Sequence, residues 1–129
     1  MSEQQSMTMD EMLTQMREKY NNLDNSAIYY PLRKLKINRV YEETVNLMKA
    51  CLIAHEYGVD ITVPFISYLI PQTNGRAIIA RLHRLGDNKL ILLKRDGKSG
   101  RGNTCRWILG DSFKNAYYGD NKWVRLYRI

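Results

Sequence analysis

The chain has 129 residues, 44% of them hydrophobic, and a formal net charge of +7, which suits one compact domain with a tail and leaves too little chain for two full cores. No run of about 18 apolar residues could cross a bilayer, and the polar, acidic opening MSEQQSMTMDEM lacks the basic start and apolar core of a secretory signal. Two cysteines, Cys51 and Cys105, fit a reducing compartment, so a cytoplasmic, intracellular protein is expected.

Residues 9–23 place Met9, Met12, Leu13, Met16 and Tyr20 at helical spacing and predict an amphipathic helix. Ile28 to Asn38 is expected to be an extended or irregular connecting arm, because Pro31 disfavours helical angles at Tyr30. Helix-forming residues resume near Tyr41. Val45, Met48, Leu52 and His55 line one stripe, with Leu47, Cys51 and Ala54 beside it, and Gly58 stops the helix. A short second helix over Val63–Leu69 follows, with Thr62 as N-cap, Pro64 tolerated in the first turn, and Phe65, Ile66, Leu69 and Ile70 as its packing side. Pro71 ends it, and Thr73 or Asn74 is free to cap the next element.

That element, from about Asn74 to Asn88, repeats Ile78, Leu82 and Leu85 at intervals of four and three. With those three facing the core, Arg76, Ile79, Ala80 and His83 fall on the outer side, and Arg81 and Arg84 lie toward its flanks. Leu90–Arg95 and Asn103–Leu109 are strand candidates, joined by a loop holding Gly97, Gly100 and Gly102. A glycine-rich loop can also cradle a nucleotide phosphate. This one lacks the glycine-lysine-serine/threonine ending of a P-loop and joins two strands instead of opening a helix. Beyond it, Gly110-Asp111-Ser112 is a capping segment for a short helix over Phe113–Tyr118, and Trp123–Ile129 is a further strand candidate.

The charge is unevenly divided. Residues 1–24 carry five acids and two bases, whereas residues 60–109 carry nine bases against Asp60, Asp87 and Asp96. A field of that sign attracts phosphate at long range and gives affinity that falls with salt; a solvated face without a partner is the plainer reading of charge alone.

The spacing of Ile78, Leu82 and Leu85, with Leu90 and Ile91 five and six residues on, resembles that of winged helix-turn-helix regulators over roughly Tyr41 to Leu109. Such proteins often have a glycine just before the strand; here Lys89 holds that position and Gly86 comes earlier. The resemblance implies an α+β fold in which a three-helix core is followed by a basic β-hairpin wing. Its expected organisation is an N-terminal helix and arm over residues 1–38, a winged domain over 39–110 and a C-terminal extension over 111–129. It also implies a sequence-specific double-stranded DNA-binding protein, a small transcriptional regulator, with the third helix in the major groove and the wing on the backbone or in a minor groove.

The expected contacts on that helix are Thr73, Asn74, Arg76, Ile79, Ala80, His83 and Arg84. Arg76 offers paired donors to guanine, Asn74 pairs with adenine, Ile79 or Ala80 touches a thymine methyl, and Arg81 and Arg84 meet phosphate. On the wing they are Lys94, Arg95, Lys98, Ser99, Arg101 and Arg106. For each arginine the alternative is a surface ion pair. Other readings are a less specific binder in replication, partition or packaging, and a winged module that docks a protein of transcription or replication. The methionine-rich helix packs on its own domain or on a second copy in a homodimer. Tyr117, Tyr118, Trp123 and Tyr127 complete a core or a dimer contact in preference to stacking on bases.

Catalysis finds little support. Cys51 and His55 share a helix face, yet a metal site needs three or four ligands, and neither Cys105 nor His83 has a supporting pattern. No nucleophile motif or acid cluster is recognisable, so a non-enzymatic protein without cofactor is expected.

Overall fold

The computed structural model describes residues 8–37, 40–94 and 105–119. It is an α+β fold: in chain order, α1 (Met9–Asn22), α2 (Ser26–Lys34), α3 (Glu42–Glu56), α4 (Val63–Leu69), α5 (Gly75–Asp87), β1 (Ile91–Leu93), β2 (Trp107–Leu109) and α6 (Asp111–Tyr118).

The centre of the molecule is α3. The sequence places Val45, Met48, Leu52 and His55 on one stripe with Leu47, Cys51 and Ala54 beside it; in the structure Val45 and the whole run from Leu47 to Ala54 are buried, because α1, α2, α4 and β2 all pack around it. His55 lies past that run and is exposed. Even Lys49 is 7% exposed; its Nζ donates to Asn25 Oδ1 at 3.2 Å and sits 4.6 Å from the centre of the Tyr20 ring. Desolvation pushes the Lys49 ammonium below its ordinary pKa.

The N-terminal helix begins with a reciprocal capping box between Thr8 and Glu11 and buries Met16, with Met12, Leu13 and Tyr20 packed beside it; Met9 stays exposed. It docks on its own chain. Arg17 Nη2 donates to the Tyr68 carbonyl at 2.7 Å, and Lys19 pairs with Glu56 at 3.0 Å. Glu56 also accepts from the Tyr118 hydroxyl at 3.0 Å, so one carboxylate joins α1, the end of α3 and α6.

The segment expected to be an extended or irregular arm is corrected: Ser26–Lys34 is the helix α2, with Pro31 inside it. A proline at that position removes one intrahelical bond and costs about 3 kcal/mol in an unsupported helix. Tertiary burial offsets it, since Ile28 and Leu32 are fully inaccessible and Pro31 is buried with them, each such aliphatic side chain contributing roughly 1.5–3 kcal/mol. Asp24 supports the first turn by accepting from the Ser26 amide through Oδ1 and from the Ala27 amide through its carbonyl, both at 3.0 Å.

Three helices end in the same way. After α2, α3 and α5 the chain enters the left-handed region at Lys36 (φ 61), Gly58 (φ 69) and Lys89 (φ 63). The next amide then reaches back to a carbonyl five residues earlier: Ile37 to Leu32, Val59 to Ala54 and Leu90 to Leu85. These are Schellman closures, which satisfy carbonyls left open at a helix end. Lys89 therefore takes up the conformation for which a glycine is the usual residue.

β1 and β2 pair antiparallel in the register Ile91↔Leu109, Leu92↔Ile108 and Leu93↔Trp107. β2 has a second neighbour not foreseen from the sequence: Ile61 and Trp107 exchange both backbone hydrogen bonds at 2.9 Å as an isolated antiparallel bridge. The chain between α3 and α4 thus lies along the hairpin. Among the described residues the strands are shorter than expected; Arg95 and the loop through residue 104 lie outside them, as does Trp123–Ile129. The last helix starts at Asp111, ahead of Phe113, with Gly110 as N-cap and no side-chain cap. Ser112 is used otherwise, its hydroxyl donating to the Lys89 carbonyl at 3.1 Å, and Phe113 is fully buried. Among the described residues no helix is long and apolar enough to cross a membrane.

Candidate nucleic-acid interface

α4 and α5 form as their capping residues dictate. Thr62 accepts from the Phe65 amide at 3.2 Å with Pro64 in the first turn, and Asn74 accepts from the Ala77 amide at 2.9 Å. Ile66 and Leu69 are buried and Phe65 is half-buried on the side facing the core. α5 buries Ile78, Leu82 and Leu85, which turns Arg76, Ile79, Ala80, His83 and Arg84 outward; Ile79 is 39% exposed. Asn74 is exposed at the start of the helix, and Thr73 is half-buried behind it. The described site residues of α5 therefore share one solvent-facing surface. The Asn74 Oδ1 holds the helix cap, which leaves Nδ2 as the group free to donate outward.

The two flanks of α5 differ. On one, Arg81 and Arg84 line a groove of about 270 Å³ against Tyr41, Glu43 and Thr44 at the start of α3. On the other, the His83 and Trp107 rings pack nearly perpendicular with centroids 5.4 Å apart, so the exposed imidazole sits where the helix meets the hairpin. Gly86 lies under the same indole. A Cβ there would be 2.7 Å from Trp107 Cζ3, closer than real contacts allow. Gly86 thus explains why α5 carries a glycine before its end: the missing side chain admits Trp107.

Lys94 and Arg106 form the described base of the hairpin, where the Lys94 amide donates to the Arg106 carbonyl at 2.8 Å. Both side chains turn to one acid. Lys94 Nζ lies 3.1 Å from Asp60 Oδ1, and Arg106 Nη1 lies 3.7 Å from Asp60 Oδ2. Asp60 lies 34 positions from Lys94 in the sequence, and the Ile61–Trp107 bridge is what brings it to the hairpin. Arg95, Lys98, Ser99 and Arg101 lie outside the described residues.

Among the described residues the other candidate chemistry is not brought together. Cys51 is fully buried, and burial pushes its thiol well above the ordinary range, which keeps it protonated. Among the described residues no three His, Cys, Asp or Glu side chains come together as a metal-binding set. No protein-family model, curated protein or solved structure matches the chain.

Proposed function

We propose that the protein is a sequence-specific double-stranded DNA-binding protein of winged helix-turn-helix type, acting without catalysis as a small transcriptional regulator. One observation carries this reading: the exposed surface of α5 presents Asn74, Arg76, Ile79, Ala80, His83 and Arg84 together, opposite a buried Ile78/Leu82/Leu85 seam. The arrangement around it supports the same reading. The three helices α3, α4 and α5 are followed directly by the β1–β2 hairpin, as a three-helix core with a wing requires. Arg76 near the start of α5 reads a guanine edge, Ile79 or Ala80 meets a thymine methyl, and Arg84, with Arg81 beside it, takes backbone phosphate.

A second reading, a module that docks a protein, is favoured by Leu92 and Ile108. These cross-strand partners on the outer face of the hairpin are 40% and 43% exposed.

Selection from a random duplex library at about 150 mM salt separates the readings, since salt fixes the electrostatic share of affinity. An enriched motif supports the regulator, and a two-fold repeat of it adds a second copy of the chain. Binding without enrichment supports a less specific role, and no binding supports the protein-docking module.

A further inference from the structure

Among the described residues, two cations at the base of the hairpin share one carboxylate, and that carboxylate is placed by backbone pairing. Ile61 pairs with Trp107, so the alternation of an antiparallel sheet puts Asp60 on the same face as Arg106 and Ile108. Leu92 pairs with Ile108, and the Lys94 amide bonds to the Arg106 carbonyl, which adds Leu92 and Lys94 to that face. Both oxygens of Asp60 are within 3.4 Å of Lys94 Nζ, while Arg106 Nη1 lies 3.7 Å from Oδ2. The cluster keeps one net positive charge where its two bases alone would give two. Lys94 and Arg106 remain 44% and 54% exposed, so a phosphate oxygen can reach both but must do so beside a like charge.

We propose that Asp60 is a positioning residue that acts through Lys94 and Arg106 to limit the sequence-independent part of DNA binding. The inference rests on the DNA-binding reading. Phosphate contacts carry no sequence information, so the carboxylate lowers affinity for every duplex by the same factor and leaves discrimination to α5. Its removal frees one further cation for the backbone.

The test is duplex binding by the full chain over a salt series, using a selected duplex and an unrelated one, for wild type, Asp60→Asn, Asp60→Ser, Asp60→Glu and the double variant Asp60→Asn/Lys94→Gln. Asp60→Asn is expected to tighten binding several-fold on both duplexes and to steepen the log–log salt slope by about one, with the ratio between duplexes unchanged. Asp60→Ser, which also removes the charge, should behave alike, and Asp60→Glu should keep the wild-type slope. The double variant restores the net charge of the cluster and should return slope and affinity to wild type, which a purely structural role of Asp60 would not do. Weaker binding or an unchanged slope in both neutral variants, with wild type binding normally, overturns the inference alone. Absence of binding by wild type even at low salt overturns the DNA reading and the inference with it.

Discussion

Gly86 and Trp107 are locked by close approach: the Cα of the glycine faces the six-membered part of the indole, with room for hydrogen but not for a methyl group. A glycine near the end of a helix ordinarily costs about 1 kcal/mol relative to alanine. Here the sign reverses. Gly86→Ala is expected to destabilise the fold by about 1–3 kcal/mol through overpacking, and to shift the Trp107 fluorescence as the ring moves. Denaturant unfolding with a tryptophan readout checks it; a gain in stability would show that the indole can step aside freely.

Lys89 presents the opposite case. Its backbone is left-handed at φ 63, a conformation that costs a residue with a Cβ about 1–2 kcal/mol. Lys89→Gly is expected to raise stability by about 1 kcal/mol, and Lys89→Val to lower it by more. Thermal or denaturant melts of the two variants give the answer directly.

Asn74 holds two roles that can be pulled apart. Its Oδ1 caps α5, and loss of a cap costs about 1 kcal/mol, so Asn74→Ala should weaken the fold by that amount. Asn74→Asp keeps an acceptor at the cap and suits the helix dipole, so stability should hold. The same substitution removes the outward donor and adds a negative charge, so duplex binding should fall while the melt is unchanged. Parallel melts and binding isotherms separate the roles.

The two thiols should differ sharply. Cys51 is fully inaccessible and its pKa is raised by burial, whereas Cys105 is partly exposed before β2. In the native protein a disulfide-exchange reagent should label one thiol promptly and the second only at the rate of unfolding. Rapid labelling of both would mean that α3 opens far more readily than its packing implies.

Tyr20, Tyr117 and Tyr118 are all raised above their ordinary pKa of 10.0, chiefly by burial, with Glu56 adding repulsion at Tyr117 and Tyr118. An acid that is harder to ionise when folded adds stability that is fully present below its unfolded pKa and is lost as pH rises beyond it. Stability should therefore decline above about pH 10. Ultraviolet titration should find these tyrosines ionising last, together with unfolding.

Local chemistry made much of this fold legible. Thr62, Pro64 and Asn74 mark the starts of α4 and α5, and Gly58 marks the end of α3, because caps and left-handed turns are chosen by residues in immediate sequence. The outward surface of α5 followed from the spacing of Ile78, Leu82 and Leu85. What could not be read depends on contacts distant in sequence. Pro31 argues against a helix, and only the burial of Ile28 and Leu32 outweighs it. Ile61 carries no strand signal of its own, and its bridge to Trp107 spans 46 positions. Asp60 inherits its role from that bridge, so no local pattern could have paired it with Lys94 and Arg106.

The Ile61–Trp107 bridge also acts as a pivot. Together with the ion pairs of Asp60 to Lys94 and Arg106 it ties the hairpin to the connection leaving α3, while Trp107 against Gly86 seats the hairpin on α5. Under the DNA-binding reading, the distance along the duplex between the groove contact and the backbone contact then depends on these anchors, the Ile61–Trp107 peptide pair among them. Adding or deleting a residue between Gly58 and Thr62 would re-aim the hairpin around a duplex that turns once in about 10–10.5 base pairs. Under that reading the length of the footprint depends on the three residues between Gly58 and Thr62, away from the side chains that would touch DNA.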